Sequence, residues 1–359
     1  MPEVGEARAP THAKEGILYT NVMKTRTSPV VAPGAALRSK GCLNVWAGTW
    51  NVGGMEPSHI AEMLRNDYPH DVRVGLCVIG LQGVMLPPPV VQAAVPRDAV
   101  SENGIAWESA LDAYFEEQRP HMKKMCAVRV GGTMLCVYVL REYAAFVSEL
   151  SSGSISFGWP GVGRDKGALG ASFKTNRGTA NEKTVCLVCA HLCAGGEPRK
   201  LQERVAELAY IHANLKFPSP WARETKAHVH IADHSHVILL GDLNFRLARQ
   251  PASLPRKEDP LQEAGIVAMR RTDELLHAMA FHHTLVGYSE GRLDFKPTYK
   301  YATKNNMYDP TSDSGPAWTD RILWRAKGVI LLQYTTKRVV GSDHKPVHAL
   351  LSLRSMLGG

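Results

Sequence analysis

The chain has 359 residues, of which 44% are hydrophobic, so it can form one large globular domain or two ordinary ones. Its 42 basic and 34 acidic residues give a net charge of +8, which suits a phosphoinositide, an inositol phosphate or a nucleic acid as partner. Ordinary solubility charge explains the excess equally well. No run approaches the roughly 18 apolar residues of a membrane span, which excludes an integral membrane protein and leaves peripheral contact.

The first residues are acidic and polar, and we expect no secretory signal. The seven cysteines are odd in number, and several lie within apolar runs such as CLVCAHLC. This usage favours free thiols in a reducing compartment. We therefore predict a cytoplasmic location, with a peripheral position at membranes as a further option.

Residues 1–42 are rich in Pro, Ala, Lys and Thr without periodicity, and they predict a flexible arm ahead of a domain spanning 43–355. Strands are predicted at 43–52, 73–82, 125–130, 134–140, around Phe146, and at 168–173, 183–192, 236–244, 321–326, 329–336 and 348–354. Helices are predicted at 59–68, 105–118, 199–215 and 271–280, and loop insertions at 217–236 and 248–262.

The order of these elements, strand–helix–strand and then several strands in series, predicts an α/β sandwich of two packed mixed sheets flanked by helices. The polar motifs all fall where a strand ends and a loop begins. In layered α/β folds, active sites gather at such positions.

The segment GDLNFRL (241–247) follows an apolar strand. Asp242 and Asn244 are two residues apart, so they face the same side of an extended chain. Asp242 could orient or deprotonate a water, and Asn244 could donate to phosphoryl oxygens. Arg246 adds positive charge, which we interpret as structural. A turn without chemistry explains the motif equally well.

Asp343 and His344 lie in GSDHKPV (341–347). Histidine suits proton transfer because its pKa lies near the working pH, but it needs a carboxylate to orient it. Asp320, in PAWTDRILWR (316–325), is the candidate. A hydrogen-bonded pair on the surface is the alternative.

His191 follows the strand VCLVCA and could hydrogen-bond a scissile phosphate. Cys186, Cys189 and Cys193 nearby suggest zinc, but residues three apart in a strand point to opposite faces. We interpret these cysteines as core residues.

Two basic segments could bind phosphate. GRDKGALGASF (163–173) places Lys166 in a glycine-rich loop of the kind that can cradle anions. DFKPTYKY (294–301) combines Lys296, Tyr299 and Lys300. A hairpin turn and an exposed basic edge strand are the respective alternatives.

Together, GDLNFRL, PAWTDRILWR and FKPTYKY resemble the inositol polyphosphate 5-phosphatases, from about Leu43 to Leu353. The resemblance implies the layered sandwich of the exonuclease–endonuclease–phosphatase type. It also implies a Mg²⁺-dependent attack of water on a 5-phosphate.

Transferred position by position, the resemblance gives each candidate a role. Asn51 and Asp343 would bind Mg²⁺, and Asp242 would activate water. Asn244 and His191 would hold the phosphoryl oxygens, while His344, oriented by Asp320, would stabilise charge at phosphorus. Substrate recognition would involve Lys166, Tyr299 and Lys300, with Arg321 supporting the site and Lys345 adding charge.

The chain departs from the family pattern at the end of CVIGLQG, where a metal-binding Glu is replaced by Gly83. Asp165 likewise replaces an Asn beside Lys166. Loss of a metal ligand should cost at least the 10–100-fold typical of changes around a metal site.

The leading hypothesis is therefore a phosphatase acting on phosphatidylinositol 4,5-bisphosphate, on soluble inositol polyphosphates, or on both. The alternative is a phosphoinositide-binding scaffold weakened in catalysis by Gly83. A nuclease of the same superfamily is disfavoured by FKPTYKY and PAWTDRILWR, so no nucleic acid is expected as partner. The sequence is silent on oligomeric state.

Overall fold

The computed structural model describes residues 27–28, 41–65, 67, 72–84, 102–157, 166–218, 228–248, 263–309, 311–354 and 356. Its strands are β1 Thr27–Ser28, β2 Leu43–Asn51, β3 Leu76–Gln82, β4 Met122–Val130, β5 Thr133–Leu140, β6 Val147–Ser156, β7 Gly167–Thr175, β8 Lys183–His191, β9 Lys216–Pro218, β10 His228–His230, β11 His236–Asp242, β12 Ser289–Gly291, β13 Asp320–Arg325, β14 Val329–Thr336 and β15 Val347–Leu353. Its α-helices are α1 Ile60–Leu64, α2 Glu102–Gln118, α3 Pro198–Asn214, α4 Glu263–Arg270 and α5 Glu274–Phe281.

The strands form two large mixed sheets and one small ribbon. The first sheet has the order β1-β12-β13-β11-β8-β7-β6, and the second has the order β14-β15-β2-β3-β5-β4. In the first sheet β11 runs parallel to β8 and antiparallel to β13, and in the second β2 runs parallel to β3 and antiparallel to β15. Strands β9 and β10 pair separately.

Alternation along β2 shows how the layers arise. Val45 and Ala47 face the core between the two sheets, while Trp46 and Trp50 face the opposite side, where they pack with α1 and α2. A third apolar cluster joins the outer face of the first sheet to α3 and α5. Both faces of each sheet are thus covered, which explains why the central strands are continuously apolar.

The predicted sandwich of two packed mixed sheets flanked by helices is confirmed. Three local features of the structure differ from what the sequence predicts. The region around Phe146 is a 3₁₀ turn, Arg141–Phe146, followed by β6. The insertion at 217–236 contributes the β9–β10 ribbon, and helix α4 was not predicted. Most of the predicted arm, 1–42, lies outside the described residues, but Thr27–Ser28 pairs with β12 at the edge of the first sheet.

Two of the three cysteines predicted as core residues behave as the strand alternation predicts, and the third, Cys193, is only half-buried, just beyond the end of β8. Cys189 packs between the sheets, and Cys186 packs on the opposite face of β8. All seven cysteines are free thiols. Among the described helices, none has the length and apolar character required to cross a bilayer.

Acid should destabilise this fold through His348. The imidazole of His348 is buried and stacks on Trp46, with 5.8 Å between ring centroids. Burial, and secondarily the charge of Lys337, lower the pKa of His348 to about 3. The unfolded chain therefore binds more protons, so this contribution to stability is complete above about pH 6.5 and is lost as the pH falls toward 3.

Between pH 7 and pH 5, we expect protonation of His348 in the unfolded chain to lower the free energy of unfolding by about 2 kcal/mol. The His348→Phe variant should lack this part of the pH dependence. Urea unfolding at several pH values measures both. The exposed His121→Phe serves as control, and an unchanged pH slope in His348→Phe would contradict the assignment.

Candidate active site

Register brings three of the predicted residues side by side. Asp242, the last residue of β11, is paired across the parallel ladder with His191 at the end of β8. On the other side of β11 it is paired with Asp320, the first residue of β13. Neighbouring strands lie about 4.8 Å apart, so the three side chains must interact.

The carboxylate of Asp242 is the centre of the site. It is 1% exposed, and its Oδ1 accepts a hydrogen bond of 3.0 Å from the backbone N–H of Asn244. Its Oδ2 accepts one of 2.8 Å from Nδ2 of Asn51, which stands at the end of β2 in the other sheet. Both sheets therefore contribute to the same carboxylate.

Two histidines flank Asp242. Nε2 of His191 lies 3.4 Å from Asp242 Oδ2, and Nε2 of His344 lies 3.8 Å from the same oxygen. Burial disfavours the charged carboxylate, but His344, His191 and Lys166 outweigh burial and hold the pKa of Asp242 well below its usual range. Asp242 is therefore ionised and can accept a hydrogen bond or a proton from water.

As predicted, the carboxylate of Asp320 contacts the imidazole of His344. Nδ1 of His344 lies 2.9 Å from Oδ2 of Asp320. The same oxygen accepts hydrogen bonds from the hydroxyl groups of Thr298, at 2.6 Å, and Thr319, at 2.9 Å. These two threonines were not predicted, although both stand inside the recognised motifs.

Two carboxylates determine the protonation of His344. Although burial opposes the imidazolium, Asp320 and Asp242 raise the pKa of His344 to about 9. At neutral pH His344 is therefore a cation, suited to stabilising negative charge or donating a proton rather than to accepting one.

Basic and aromatic residues border this cluster. Nζ of Lys166 lies 2.5 Å from Nε2 of His191. The ring of Tyr299 lies 4.5 Å from the ring of His344. Lys300, which is half-buried, has its Nζ 4.0 Å from a carboxylate oxygen of Asp309. Asp165 lies outside the described residues.

A family model described as "Endonuclease/Exonuclease/phosphatase family 2" matches residues 48–350. The chain belongs to this family. Its relatives include the type IV inositol polyphosphate 5-phosphatase 9 of Arabidopsis thaliana, 27% identical over 86% of this chain and 77% of that one. Another is the type II inositol 1,4,5-trisphosphate 5-phosphatase of Mus musculus, 29% identical over 86% of this chain but only 29% of the relative.

Two solved structures share the fold. The inositol polyphosphate 5-phosphatase domain of SPsynaptojanin, in complex with inositol (1,4)-bisphosphate and a calcium ion, matches with a TM-score of 0.70 and 21% identity, covering 94% of this chain and 90% of that domain. A ferrous NO complex of Cimex nitrophorin matches with a TM-score of 0.61 and 16% identity, covering 88% of this chain and all of that one. The second match shows that the fold alone does not determine the chemistry.

The family implies a divalent cation, and the oxygen donors at this site fit one. Ligand atoms of Asp242, Asp320 and His344 lie within 4.8 Å of one another. Oδ1 of Asp320 is buried and has no hydrogen-bond partner among the described residues. The two predicted ligands are not part of this group: Asn51 donates its Nδ2 to Asp242 and accepts the Gly53 N–H at its Oδ1, and Asp343 stays a predicted ligand. Carboxylate oxygens such as those of Asp242 and Asp320 are ligands that Mg²⁺ and Ca²⁺ prefer.

Gly83 occupies its position for a conformational reason. Its φ is +64°, in the left-handed region, and its carbonyl accepts a hydrogen bond of 2.7 Å from the N–H of Gly54. A Cβ on Gly83 would lie 2.5 Å from Oδ1 of Asn51 and 3.0 Å from the backbone nitrogen of Gly53. The turn is therefore built around glycine, and a Glu side chain cannot be added without moving Asn51.

Two predicted substrate contacts are corrected by the structure. Arg321 is fully buried, and its guanidinium is bound by Asp273 and Glu290. Lys345 is also buried, with its Nζ 2.5 Å from the carbonyl oxygen of Val339 and 4.7 Å from the ring centroid of Tyr301. Both are structural cations.

Asn244 is placed beside Asp242, but its amide is largely committed to the protein. Its φ is +56°, its Nδ2 donates to the carbonyl of Leu192 at 3.0 Å, and its Oδ1 accepts from Arg246 at 2.7 Å. An amide nitrogen carries two protons, so one donor remains for a ligand. The predicted phosphoryl contact stays a prediction, as do the roles of the other site residues.

We expect Gly83→Ala to destabilise the protein more than Gly178→Ala. Both glycines have left-handed φ angles, +64° and +75°, but a Cβ on Gly178 would meet nothing within 4 Å. Gly178→Ala should cost about 1–2 kcal/mol, the cost of the backbone conformation alone, and Gly83→Ala should cost more because Asn51 must move. Urea unfolding measures both, and equal losses would refute the steric argument.

Proposed function

We propose that this protein is a divalent-cation-dependent phosphatase that removes the 5-phosphate from phosphoinositides, from soluble inositol polyphosphates, or from both. The observation that carries the proposal is the line of contacts from Asp320 through His344 to Asp242, which places an ionised carboxylate beside a histidine cation. The relatives of the chain include inositol polyphosphate 5-phosphatases. The lysines at its rim suit a substrate with several phosphates.

In this proposal each side chain has one task. Asp242, which its neighbours keep ionised, orients the attacking water and takes up its proton as the bond to phosphorus forms, and the same neighbours make it a weak base. His344 stabilises the growing charge on the phosphoryl oxygens through Nε2, while Asp320 holds its Nδ1. Lys166 supplies further positive charge on the other side of Asp242, and the imidazole of His191 lies between them.

Asn51 and Asp343 would hold Mg²⁺ near the Asp242 carboxylate, and the bound ion would supply Lewis-acid stabilisation of negative charge. Tyr299 and Lys300 would recognise a second phosphate on the inositol ring. The net charge of +8 supports peripheral contact with an anionic membrane, and the seven free thiols support a cytoplasmic location.

Asp242→Asn preserves the shape of the side chain but removes the base, so we expect kcat to fall by about 10²–10⁴-fold. Phosphate release from phosphatidylinositol 4,5-bisphosphate in vesicles and from soluble inositol 1,4,5-trisphosphate, each with Mg²⁺, measures the effect and separates the two substrate classes. The exposed Asp313→Asn is the control. Full turnover by Asp242→Asn would refute the mechanism.

Chelation should abolish phosphate release, and Mg²⁺ should restore it. Asn51→Ala should raise the Mg²⁺ concentration for half-maximal activity by about 10–100-fold, because a group at the metal site is lost. Asn214→Ala, at an exposed helix end, controls for the loss of an asparagine. If the natural protein binds the vesicles but releases no phosphate at any Mg²⁺ concentration, the protein is a phosphoinositide-binding scaffold and not a phosphatase.

A further inference from the structure

Arg246 is a buried cation that forms no ion pair with any of the described residues. It is 6% exposed, and its Nε and Nη1 have no hydrogen-bond partner among the described residues. The other deeply buried arginines of this region differ: Arg204 pairs with Glu274 at 2.7 Å, and Arg321 pairs with Asp273 and Glu290. Glu274 also accepts the backbone N–H of Arg246, at 2.9 Å, but its side chain is engaged by Arg204.

An unbalanced buried charge is costly, and protein structures normally neutralise it with a carboxylate or a bound ion. The contacts that Arg246 does make are to neutral groups. Its Nη2 donates to Oδ1 of Asn244 at 2.7 Å, and its guanidinium lies 4.3 Å from the ring centroid of Tyr299. Neither contact cancels the charge.

Both neutral contacts lead to the proposed catalytic cluster. Asn244 donates its backbone N–H to Asp242, and the ring of Tyr299 touches the ring of His344. By bonding to Oδ1, Arg246 fixes which end of the Asn244 amide is the oxygen, so that the Nδ2 donor points toward the His191–Leu192 side. Through Tyr299 it supports the other side of the cluster.

We infer that Arg246 is a positioning residue for Asn244 and Tyr299, and that its charge is balanced by a phosphate group of the bound ligand. The inference rests on the proposed function in its choice of ligand, a phosphate monoester on an inositol ring. The shared chemistry is the phosphate group, whether it belongs to a lipid headgroup or to a soluble inositol phosphate.

Arg246 differs from a structural arginine in what its removal leaves behind. Removal of a balanced buried charge strands its partner, so Arg204→Gln should destabilise the protein strongly by leaving Glu274 unpaired. Arg246→Gln strands no carboxylate and keeps an amide donor for Asn244. It should therefore unfold at the same temperature as the natural protein, or a higher one, when phosphate is absent.

Inorganic phosphate is the first probe. It should raise the unfolding temperature of the natural protein, and Arg246→Gln should need at least about 10-fold more phosphate for the same rise, the usual value of one charged contact. Arg246→Lys, which keeps the charge but not the planar fork, should recover part of the effect. In turnover assays with the lipid vesicles and the soluble trisphosphate, Arg246→Gln should lower kcat for both.

Two outcomes separate this inference from the proposed function. Stabilisation by phosphate that depends on Arg246, in a protein without turnover, would support the inference and refute the phosphatase. If Arg246→Gln matches the natural protein both in kcat and in its stabilisation by phosphate, the inference is refuted and the proposed function stands. Strong destabilisation of Arg246→Gln without phosphate would also refute it, by showing that Arg246 is a structural cation.

Discussion

The hydrogen bond from Asn51 to Asp242 is the contact on which the site depends, because it joins the two sheets at the edge where their chemistry meets. Asn51 ends β2 of the second sheet, and Asp242 ends β11 of the first. The apolar layer between the sheets fixes their separation, so a shift of either strand would break this bond. Close packing of the interior therefore sets the geometry of the part of the cluster that stands on strand ends, Asn51, His191, Asp242 and Asp320.

Charge balance explains why so polar a cluster can be buried. The carboxylate of Asp242 is balanced by the imidazolium of His344. One oxygen of Asp320 is hydrogen-bonded to His344 and to two threonine hydroxyl groups. Behind the cluster, Arg321 ties β13 to β12 through Glu290 and to the N-terminus of α5 through Asp273, which caps that helix. Removal of one partner from such a pair is costly, so these contacts hold Asp320 in register.

The sequence was sufficient to predict the layered fold, the residues at the strand ends and the Asp320–His344 pair, because motifs and alternation report on residue type and strand position. It was insufficient where side-chain direction decided the outcome. Arg321 directly follows Asp320 on a strand, and adjacent strand residues face opposite sides, so alternation could have placed it away from the site. For Lys345 no such signal existed, since it lies in a loop whose path depends on tertiary contacts.

Gly83 shows why the missing glutamate is more than a missing side chain. The left-handed turn brings the backbone at Gly83 against the Asn51 amide and Gly53, and both would have to move for a carboxylate to fit. A single Gly83→Glu change therefore does not recreate the family's metal site. Among the described residues, the carboxylates grouped closely enough to hold a cation are those of Asp242 and Asp320, while Asn51 and Asp343 remain the predicted ligands. Asp242 and His344 balance each other, whereas the Nε and Nη1 of Arg246 have no hydrogen-bond partner among the described residues. In our proposal a bound phosphate balances Arg246 in the phosphatase and in the binding scaffold alike, so the two functions would share the ligand and differ in turnover.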